Sequence, residues 1–239
     1  MSSAGPDNAW MREMFDAIPH RYALLNKILT FGRDESWRRK TCFFLSPDDG
    51  GRILDICTGT GDLALKIAER FPRITIYALD FSTRMLDAAR EKAKARRREN
   101  IIFKTGDALD MDFEDGYFDY VTISFGFRNL SHSNENLLKA LKEVYRVLKP
   151  GGRFVILETS QPRNTLVRRI FHLYAKLVVP LVGKAISGEK APYAYLGSSI
   201  SRFLSYDKLT EVLTSAGFEA EWTSSFLLGM IRLSRVLKR

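Results

Sequence analysis

Three acidic residues stand near the ends of three successive short apolar runs. Asp55 precedes the glycine pair Gly59 and Gly61, Asp80 ends the next run, and Asp107 follows the third. Glycines let the backbone approach a ligand closely, and carboxylates can hold a cationic amino group, two ribose hydroxyls or an adenine amino group. A pyrophosphate beside Asp55 would be repelled, because like charges repel at short range. The pattern favours a nucleoside ligand with positive charge and no phosphate.

A dinucleotide-binding loop is the main alternative. Gly59-x-Gly61-x-x-Ala64 also satisfies the dinucleotide fingerprint, and Asp80 follows at about the spacing of a ribose-binding acid. A nicotinamide dehydrogenase is therefore a second interpretation of this loop. A third is a tight turn that binds no ligand, in which Asp80 is an acid near the start of a helix. No Ser/Tyr-x-x-x-Lys or histidine-based hydride-transfer apparatus is evident. The acids together favour S-adenosylmethionine as the cofactor.

The elements that must position these acids alternate along the chain. Apolar runs predict strands at 52–57, 74–79, 101–104, 118–124, 153–158, 218–225 and 230–237. Helical spacing predicts helices at 63–70, 84–97, 137–148 and 207–216. Lys149-Pro150-Gly151-Gly152 predicts a helix stop and turn. This rhythm predicts an α/β fold with a doubly wound, mostly parallel seven-stranded sheet, whose strand ends form the site.

Two further segments are expected to be helical. Residues 1–46 show helical spacing, interrupted at Pro19, and residues 159–206 break the strand–helix alternation before the last strands. The length of 239 residues suits one domain. We expect a single domain over 1–239, with an N-terminal helical cap (1–46) and a helical insert or lid (159–206).

Composition limits the environment and the partners. The two cysteines, Cys42 and Cys57, do not form a disulfide framework, and we expect a reducing, cytoplasmic compartment. The sequence has no signal-peptide pattern and no run of about 18 apolar residues that would span a bilayer. The net charge of +9 favours anionic partners such as a membrane surface or nucleic acid. We predict no metal site.

Three motifs carry a resemblance to a known family. They are Asp55-x-x-x-Gly59-x-Gly61-Asp62, Ser124-Phe125-Gly126-Phe127-Arg128-Asn129, and the segment 145–153 (YRVLKPGGR). The first and third are widespread among class I methyltransferases, and the second is much narrower. Together they resemble the ubiquinone/menaquinone biosynthesis C-methyltransferases over nearly the whole chain. The resemblance implies methyl transfer from S-adenosylmethionine to a ring carbon of a reduced, prenylated quinone such as demethylmenaquinol.

The resemblance also implies particular cofactor contacts and shows particular departures. The implied contacts are Thr60, Asp80, Asp107, Ala108 and Ser124, and Ser124 is not indicated by any other feature. The chain departs from the family pattern at Ala23, at Asp34-Glu35-Ser36 before the tryptophan, and at Ser198. These positions lie outside the cofactor loop. They therefore bear on the acceptor and on full activity rather than on the cofactor.

Few side chains are candidates for catalysis. Arg128 could stabilise a phenolate, or it could tie its loop to backbone carbonyls. His132, just after the Ser124–Asn129 motif, could face the acceptor, or it could be a solvated loop histidine. Tyr195 could order the acceptor ring or simply pack. A general base is useful for this chemistry but contributes modestly.

A lipophilic quinol implies a membrane nearby. Apolar residues between Leu166 and Val178, beside Arg168, Arg169 and Lys176, are compatible with an interfacial segment, an acceptor tunnel or an ordinary packed helix. We therefore consider peripheral contact at the inner face of the membrane, and we leave room for a homo-oligomer. No nucleic-acid partner is expected. An RNA methyltransferase, another small-molecule methyltransferase and a non-catalytic cofactor-binding scaffold remain as alternatives.

Overall fold

The computed structural model describes residues 8–17, 27, 28, 30, 32–131, 133–187 and 191–239. Its strands are β1 (Arg52–Ile56), β2 (Thr75–Asp80), β3 (Ile101–Thr105), β4 (Phe118–Ser124), β5 (Leu148–Thr159), β6 (Phe218–Phe226) and β7 (Ile231–Lys238). Each predicted strand is present within two residues of its predicted limits, except at the start of β5.

Helices flank the sheet and fill the connections. They are α1 (Asn8–Ala17), α2 (Arg33–Cys42), α3 (Asp62–Arg70), α4 (Thr83–Ala95), α5 (Phe127–Leu130), α6 (Asn134–Val147), α7 (Thr165–Leu173), α8 (Val179–Ser187), α9 (Ala191–Arg202) and α10 (Tyr206–Ser215). A π-helical turn, Tyr174–Val178, joins α7 to α8, and a 3₁₀ turn, Leu227–Gly229, joins β6 to β7. Pro19, the predicted break between N-terminal helices, lies outside the described residues.

The seven strands form one sheet in the order β3-β2-β1-β4-β5-β7-β6. Strands β1 to β5 run parallel, and β7 runs antiparallel to β5 and β6. The chain winds outward from β1 to β3 and then returns to β4 on the other side of β1. The predicted doubly wound, mostly parallel sheet is confirmed. Such a reversal opens a crevice at the carboxyl ends of the two central strands.

The segment Lys149-Pro150-Gly151-Gly152 differs from its prediction as a turn before the fifth strand. Strand β5 already begins at Leu148, which pairs with Phe118, and the pairing resumes with Arg153 opposite Tyr120. The four residues therefore bulge within the strand. Gly151 has φ 77°, a conformation that suits glycine, and a Cβ at Gly152 would lie 2.8 Å from the Lys149 carbonyl oxygen.

The central strands are apolar on both faces because helices cover both. Ile53 and Leu54, neighbours in β1, are fully buried in two different hydrophobic clusters on opposite sides of the sheet. Each such side chain contributes about 1.5–3 kcal/mol to folding. This packing fixes the strand ends, and with them the acids that follow the strands.

Helices outside the sheet complete the site. In α1, Asp16 accepts a hydrogen bond from the Ser82 hydroxyl, and its carbonyl accepts one from Arg84 at 3.2 Å, so α1 lies against the start of α4. The helices α7 to α9 pack on each other around Tyr193, which is buried. Gly197 of α9 faces the Ala175 carbonyl of the π-helical turn with no room for a Cβ. The helices α7 to α9 thus pack together as one unit.

Candidate functional site

A cleft opens at the carboxyl ends of β1, β2 and β4, and we call it the strand-end cleft. Its volume, including the open mouth, is about 1060 Å³. The predicted residues that line it are Asp55, Gly59, Thr60, Asp80, Asp107 and Ser124. Further lining residues, none of them predicted as a cofactor contact, are Met11, Arg12, Arg38, Phe81, Met85, Leu109 and Phe125. The structure therefore brings most of the predicted cofactor residues to one place.

The glycine loop is held against the second strand. The Gly59 amide donates to Asp80 Oδ2 at 2.7 Å, and the Thr58 amide donates to the Leu79 carbonyl at 3.0 Å. Gly61 starts α3 with φ 74°, and a Cβ there would lie 2.9 Å from the Ala89 Cβ. Gly61 therefore supports the cleft by letting α3 approach α4, a role that no side chain could share.

Asp55 is buried at the end of β1. Its two carboxylate oxygens accept hydrogen bonds from Thr122 Oγ1 at 2.7 Å and Thr58 Oγ1 at 2.6 Å. Burial raises the pKa of Asp55 to about 6, although both hydroxyls favour the charged form. A carboxylate has about four acceptor positions, so two remain for a ligand. A cationic group in the cleft would favour the ionised form.

Asp80 is the last residue of β2, two residues beyond Ala78, which pairs with Asp55. Its carboxylate accepts from the amides of Gly59 and Ser82, the latter at 3.0 Å, and burial raises its pKa to about 6. The helix-capping alternative belongs to a neighbour, since Ser82 caps α4 by accepting from the Met85 amide at 3.1 Å. Asp80 is therefore a cleft acid with acceptor capacity for ribose hydroxyls.

The third strand contributes Asp107 and its neighbours. Asp107 lines the cleft and accepts from the Leu109 amide at 2.9 Å, which fixes the loop after β3. Ala108 is buried in the hydrophobic core, and Leu109 is the next residue that lines the cleft. The cleft wall here combines a carboxylate with an apolar side chain, as a flat nucleobase requires.

Thr60 and Asp62 form the outer edge of the glycine loop. Lys92 of α4 donates to Thr60 Oγ1 at 2.8 Å and to Asp62 Oδ1 at 2.7 Å. Burial disfavours the ionised form of Asp62. The positive charges of Arg38 and Lys92 favour that form more strongly, and they hold the pKa of Asp62 below its usual value. Lys92, from the basic stretch of α4, is thus part of the loop scaffold.

Ser124 ends β4 at the cleft. Its hydroxyl oxygen is buried and has no hydrogen-bond partner among the described residues. A buried polar group left in this state costs about 1–3 kcal/mol. The hydroxyl therefore suits a polar ligand atom, and together with the two raised-pKa acids it fits S-adenosylmethionine.

Two residues with left-handed backbone follow the central strands at the cleft. Cys57 follows β1 with φ 50°, and Phe125 follows β4 with φ 58°. Left-handed backbone at such residues costs of order 1 kcal/mol or more and clusters at functional sites. A Cβ at Gly126 would lie 2.7 Å from the Cys57 Cβ. Glycine at this position lets the two loops meet at the mouth of the cleft.

A second space adjoins the cleft, and we call it the insert cavity. It lies between α2, the helices α7 to α9 and the turn before β7, with a volume of about 1040 Å³ including its mouth. Its apolar lining residues are Trp37, Phe125, Ile170, Phe171, Tyr174, Val179, Leu196, Ile200, Leu227, Met230 and Ile231. Its polar lining residues are Thr30, Asp34, Arg38, Arg128 and Thr159. Arg38 and Phe125 line both spaces, so the two share a wall.

The predicted catalytic residues fall in different places. Arg128 lines the insert cavity, and its Nη1 donates to Glu158 Oε1 at 2.8 Å and to the Phe125 carbonyl at 2.7 Å. This contact supports the alternative in which Arg128 ties its loop down. Tyr195 packs edge-on against Trp10, with its hydroxyl 3.5 Å from Met11 Sδ. His132 lies outside the described residues.

Comparisons with known proteins agree with this geometry. A sequence model of the ubiE/COQ5 methyltransferase family matches residues 4–238. A demethylmenaquinone methyltransferase of Deinococcus radiodurans is 40% identical over 212 residues, 89% of this chain and 86% of that protein. A ubiquinone/menaquinone biosynthesis C-methyltransferase of Geotalea daltonii is 40% identical over 222 residues, 92% of each chain.

The solved structures that this fold resembles are more distant in sequence. A crystal structure from Thermotoga maritima, described as a SAM-dependent methyltransferase and possible histamine N-methyltransferase, has a TM-score of 0.67 at 19% identity. The match covers 96% of this chain and 100% of that one. At this identity the likeness concerns the fold alone.

Proposed function

The chain belongs to the ubiE/COQ5 methyltransferase family, and we propose that it methylates a ring carbon of a reduced prenylated quinone of the demethylmenaquinol type. It is an S-adenosylmethionine-dependent methyltransferase. The observation that carries the proposed acceptor is the insert cavity, an apolar space that shares Arg38 and Phe125 with the strand-end cleft. An apolar acceptor in one space would thus lie next to a methyl donor in the other, at the Arg38 and Phe125 side chains.

The strand-end cleft supports specific roles toward the cofactor. Asp80 would accept the ribose hydroxyls, Asp55 would hold the amino group directly or through water, and Asp107 would meet the adenine amino group. The Ser124 hydroxyl would gain the partner that it lacks among the described residues. When bound, the cofactor supplies an electrophilic methyl group. The protein's part is then to orient the acceptor and to exclude water.

The insert cavity supports an acceptor with a ring and an apolar tail. Trp37 and Phe125 lie with ring centroids 6.3 Å apart near the shared wall, which suits an aromatic headgroup. Elsewhere the cavity is lined by aliphatic side chains such as Ile170 and Leu227, which suit an apolar tail. The polar groups cluster on the α2 and α5 side, where ring hydroxyls would lie.

A methylation assay tests the proposal. The purified protein with S-adenosylmethionine is offered a short-chain demethylmenaquinol, a prenylated benzoquinol and bulk RNA, and products are examined by mass spectrometry. We expect one added methyl on the quinol. Methylation of RNA alone would overturn the proposed acceptor. Cofactor binding without turnover of any acceptor would instead favour a non-catalytic scaffold.

We further propose that the protein collects its acceptor from a membrane surface. No helix in the described ranges is long and apolar enough to cross a bilayer. Large apolar side chains are exposed along the insert and at the turn before β7, namely Leu166, Ile170, Leu173, Leu177, Val178, Leu181, Leu227 and Leu228. Ile170 and Leu227 also line the insert cavity, which makes this face continuous with it.

The charges beside this apolar face favour anionic lipid over a second copy of the chain. Arg169, Lys176 and Lys184 are exposed on the same segment. Two copies meeting through this face would bring like charges together, whereas anionic headgroups attract each lysine or arginine by about 1 kcal/mol. The arrangement is that of an interfacial helix with a basic border.

Vesicle sedimentation tests the membrane contact. We expect binding to phosphatidylglycerol vesicles, weakened about tenfold or more in the triple variant Leu166→Ser, Leu173→Ser, Leu181→Ser. Leu138→Ser, which replaces an exposed leucine on α6, is the control and should bind normally. Absence of vesicle binding would contradict the proposal. So would a dimer that forms without lipid and is lost in the triple variant.

A further inference from the structure

The insert cavity contains a buried carboxylate that neither the sequence motifs nor the proposed cofactor roles use. The cavity is lined mainly by apolar side chains, yet two buried ion pairs reach it, Arg38–Asp34 and Arg128–Glu158. Both arginines line the cavity. Of the two carboxylates, Asp34 lines it and Glu158 does not.

Asp34 is held in one orientation with acceptor capacity left over. Its Oδ1 accepts from Thr30 Oγ1 at 2.9 Å, and its Oδ2 accepts from Arg38 Nη1. The residue is 7% exposed, as is Arg38. A carboxylate offers about four acceptor positions, so these two bonds leave room for a ligand hydroxyl. Because burying an ion pair brings little net stability, its presence in an oily cavity suggests a role in recognition.

The pair lies beside the place where the reaction must occur. Arg38 lines both the strand-end cleft and the insert cavity, and its guanidinium lies 5.5 Å from the Phe125 ring centroid. An acceptor ring placed against Phe125 to meet the methyl donor therefore lies within reach of the Asp34–Arg38 pair. The remaining polar side chains of the cavity are hydroxyls and Arg128.

We propose that Asp34 accepts a hydrogen bond from a ring hydroxyl and thereby selects the reduced acceptor over the oxidised quinone. This inference rests on the proposed function. A carboxylate is an acceptor only, so it binds a hydroxyl but repels a quinone carbonyl at the same position. Arginine side chains donate to either form and cannot make this distinction. The reduced ring is the nucleophilic form, so the selection favours the acceptor that can react.

Binding measurements separate the two forms without relying on turnover. Demethylmenaquinone with one isoprene unit is titrated into the protein by anaerobic calorimetry, once reduced and once oxidised. We expect the wild-type protein to bind the quinol about 10- to 100-fold more tightly, as a hydrogen bond to a charged group predicts. In Asp34→Asn, whose amide can donate or accept, this ratio should fall to about threefold or less.

Controls keep the result interpretable. Glu35→Gln changes the next residue on α2, which is exposed and does not line the cavity, and should keep the wild-type ratio. Affinity for S-adenosylmethionine shows whether Asp34→Asn remains folded. Equal binding of both forms by the wild-type protein, or an unchanged ratio in folded Asp34→Asn, would overturn the inference. Failure to bind either form would overturn the proposed acceptor itself.

Discussion

The strand-end cleft and the insert cavity share a wall but are built differently. The cleft is formed mainly by residues that follow β1 to β4, so its polar groups are fixed by a buried sheet. The cavity draws on α2, α5, the insert helices and the turn before β7, which are far apart in sequence. Under the proposed function, the sheet would hold the cofactor and the peripheral helices would hold the acceptor.

The largest effect on stability is expected at Arg128, which donates to the carbonyl of Phe125 in the shared wall. Arg128→Met removes the partner of Glu158, whose side chain is 2% exposed, and leaves a buried carboxylate without its counter-charge. We expect the free energy of unfolding in urea to fall by about 3–5 kcal/mol. Adding Glu158→Gln should restore part of it, since the amide oxygen can still accept.

The exposed pair Arg163–Asp207 provides the control for that experiment. Its side chains are 76% and 72% exposed, so Arg163→Met should cost about 1 kcal/mol or less. Suppose that Arg128→Met lowers the free energy of unfolding no more than Arg163→Met does. The buried Arg128–Glu158 pair then does not stabilise this part of the protein. The structural role of Arg128 would then have to be abandoned.

A substitution in the strand-end cleft tests whether the two spaces bind their ligands separately. Asp80→Asn removes the charge that should bind the ribose hydroxyls, and we expect affinity for S-adenosylmethionine to fall about 10- to 100-fold by calorimetry. Affinity for the quinol should stay within a few-fold. Asp87→Asn, an exposed position on α4, should change neither. Equal losses in both affinities after Asp80→Asn would show that the cleft and the cavity are one coupled site.

The cleft was largely predictable because its residues follow strands. Apolar runs locate the strand ends, and the parallel order brings Asp55, Asp80 and Asp107 to one edge. The glycine spacing alone left a nicotinamide dehydrogenase open, and family membership excludes that alternative. The free hydroxyl of Ser124 had no signal apart from the resemblance, because burial without a partner is visible only in three dimensions.

The cavity could not be predicted in the same way. Asp34 and Arg38 lie in a strongly polar helix segment that shows no periodic apolar pattern. Their burial follows from the packing of α2 in three dimensions, where Arg38 lies against the Phe125 ring and both residues line the insert cavity. The segment 149–152 follows the end of α6, as a helix stop predicts, but the turn that proline and glycine also predict is not formed there. The register with β4 turns it into a bulge instead.

A third, smaller effect should appear where the two central loops touch. Gly126→Ala places a Cβ 2.7 Å from the Cys57 Cβ, and we expect a loss of about 1–3 kcal/mol in unfolding free energy. Cys57→Gly removes the opposing carbon and suits the local φ of 50°. The double variant should therefore be more stable than the two single losses predict. Strictly additive losses would mean that the loops containing Cys57 and Gly126 adjust independently of each other.

The smallest effect is a pH dependence confined to the cleft. Burial raises the pKa of Asp55 and Asp80 to about 6, above the usual 3.8. The folded, ligand-free protein therefore holds more protons than the unfolded chain between about pH 4 and 6, and these two groups lower its stability as pH rises through that window. The proposed contacts, an amino group at Asp55 and ribose hydroxyls at Asp80, both need an ionised carboxylate as the acceptor. Affinity for S-adenosylmethionine should consequently fall by roughly tenfold from pH 7 to 5.5.

Ligand-free stability and cofactor affinity should therefore change with pH in opposite directions. Between pH 5.5 and 7 the contribution of these two carboxylates to ligand-free stability should decline, while the increase in Tm caused by saturating S-adenosylmethionine should grow. In Asp80→Asn one of the two groups is gone, so the pH dependence of affinity should weaken. Binding of the neutral quinol to the wild-type protein should change little over the same range, because its cavity does not include either acid. A cofactor affinity that does not change with pH would mean that the ionised forms of Asp55 and Asp80 do not bind the ligand.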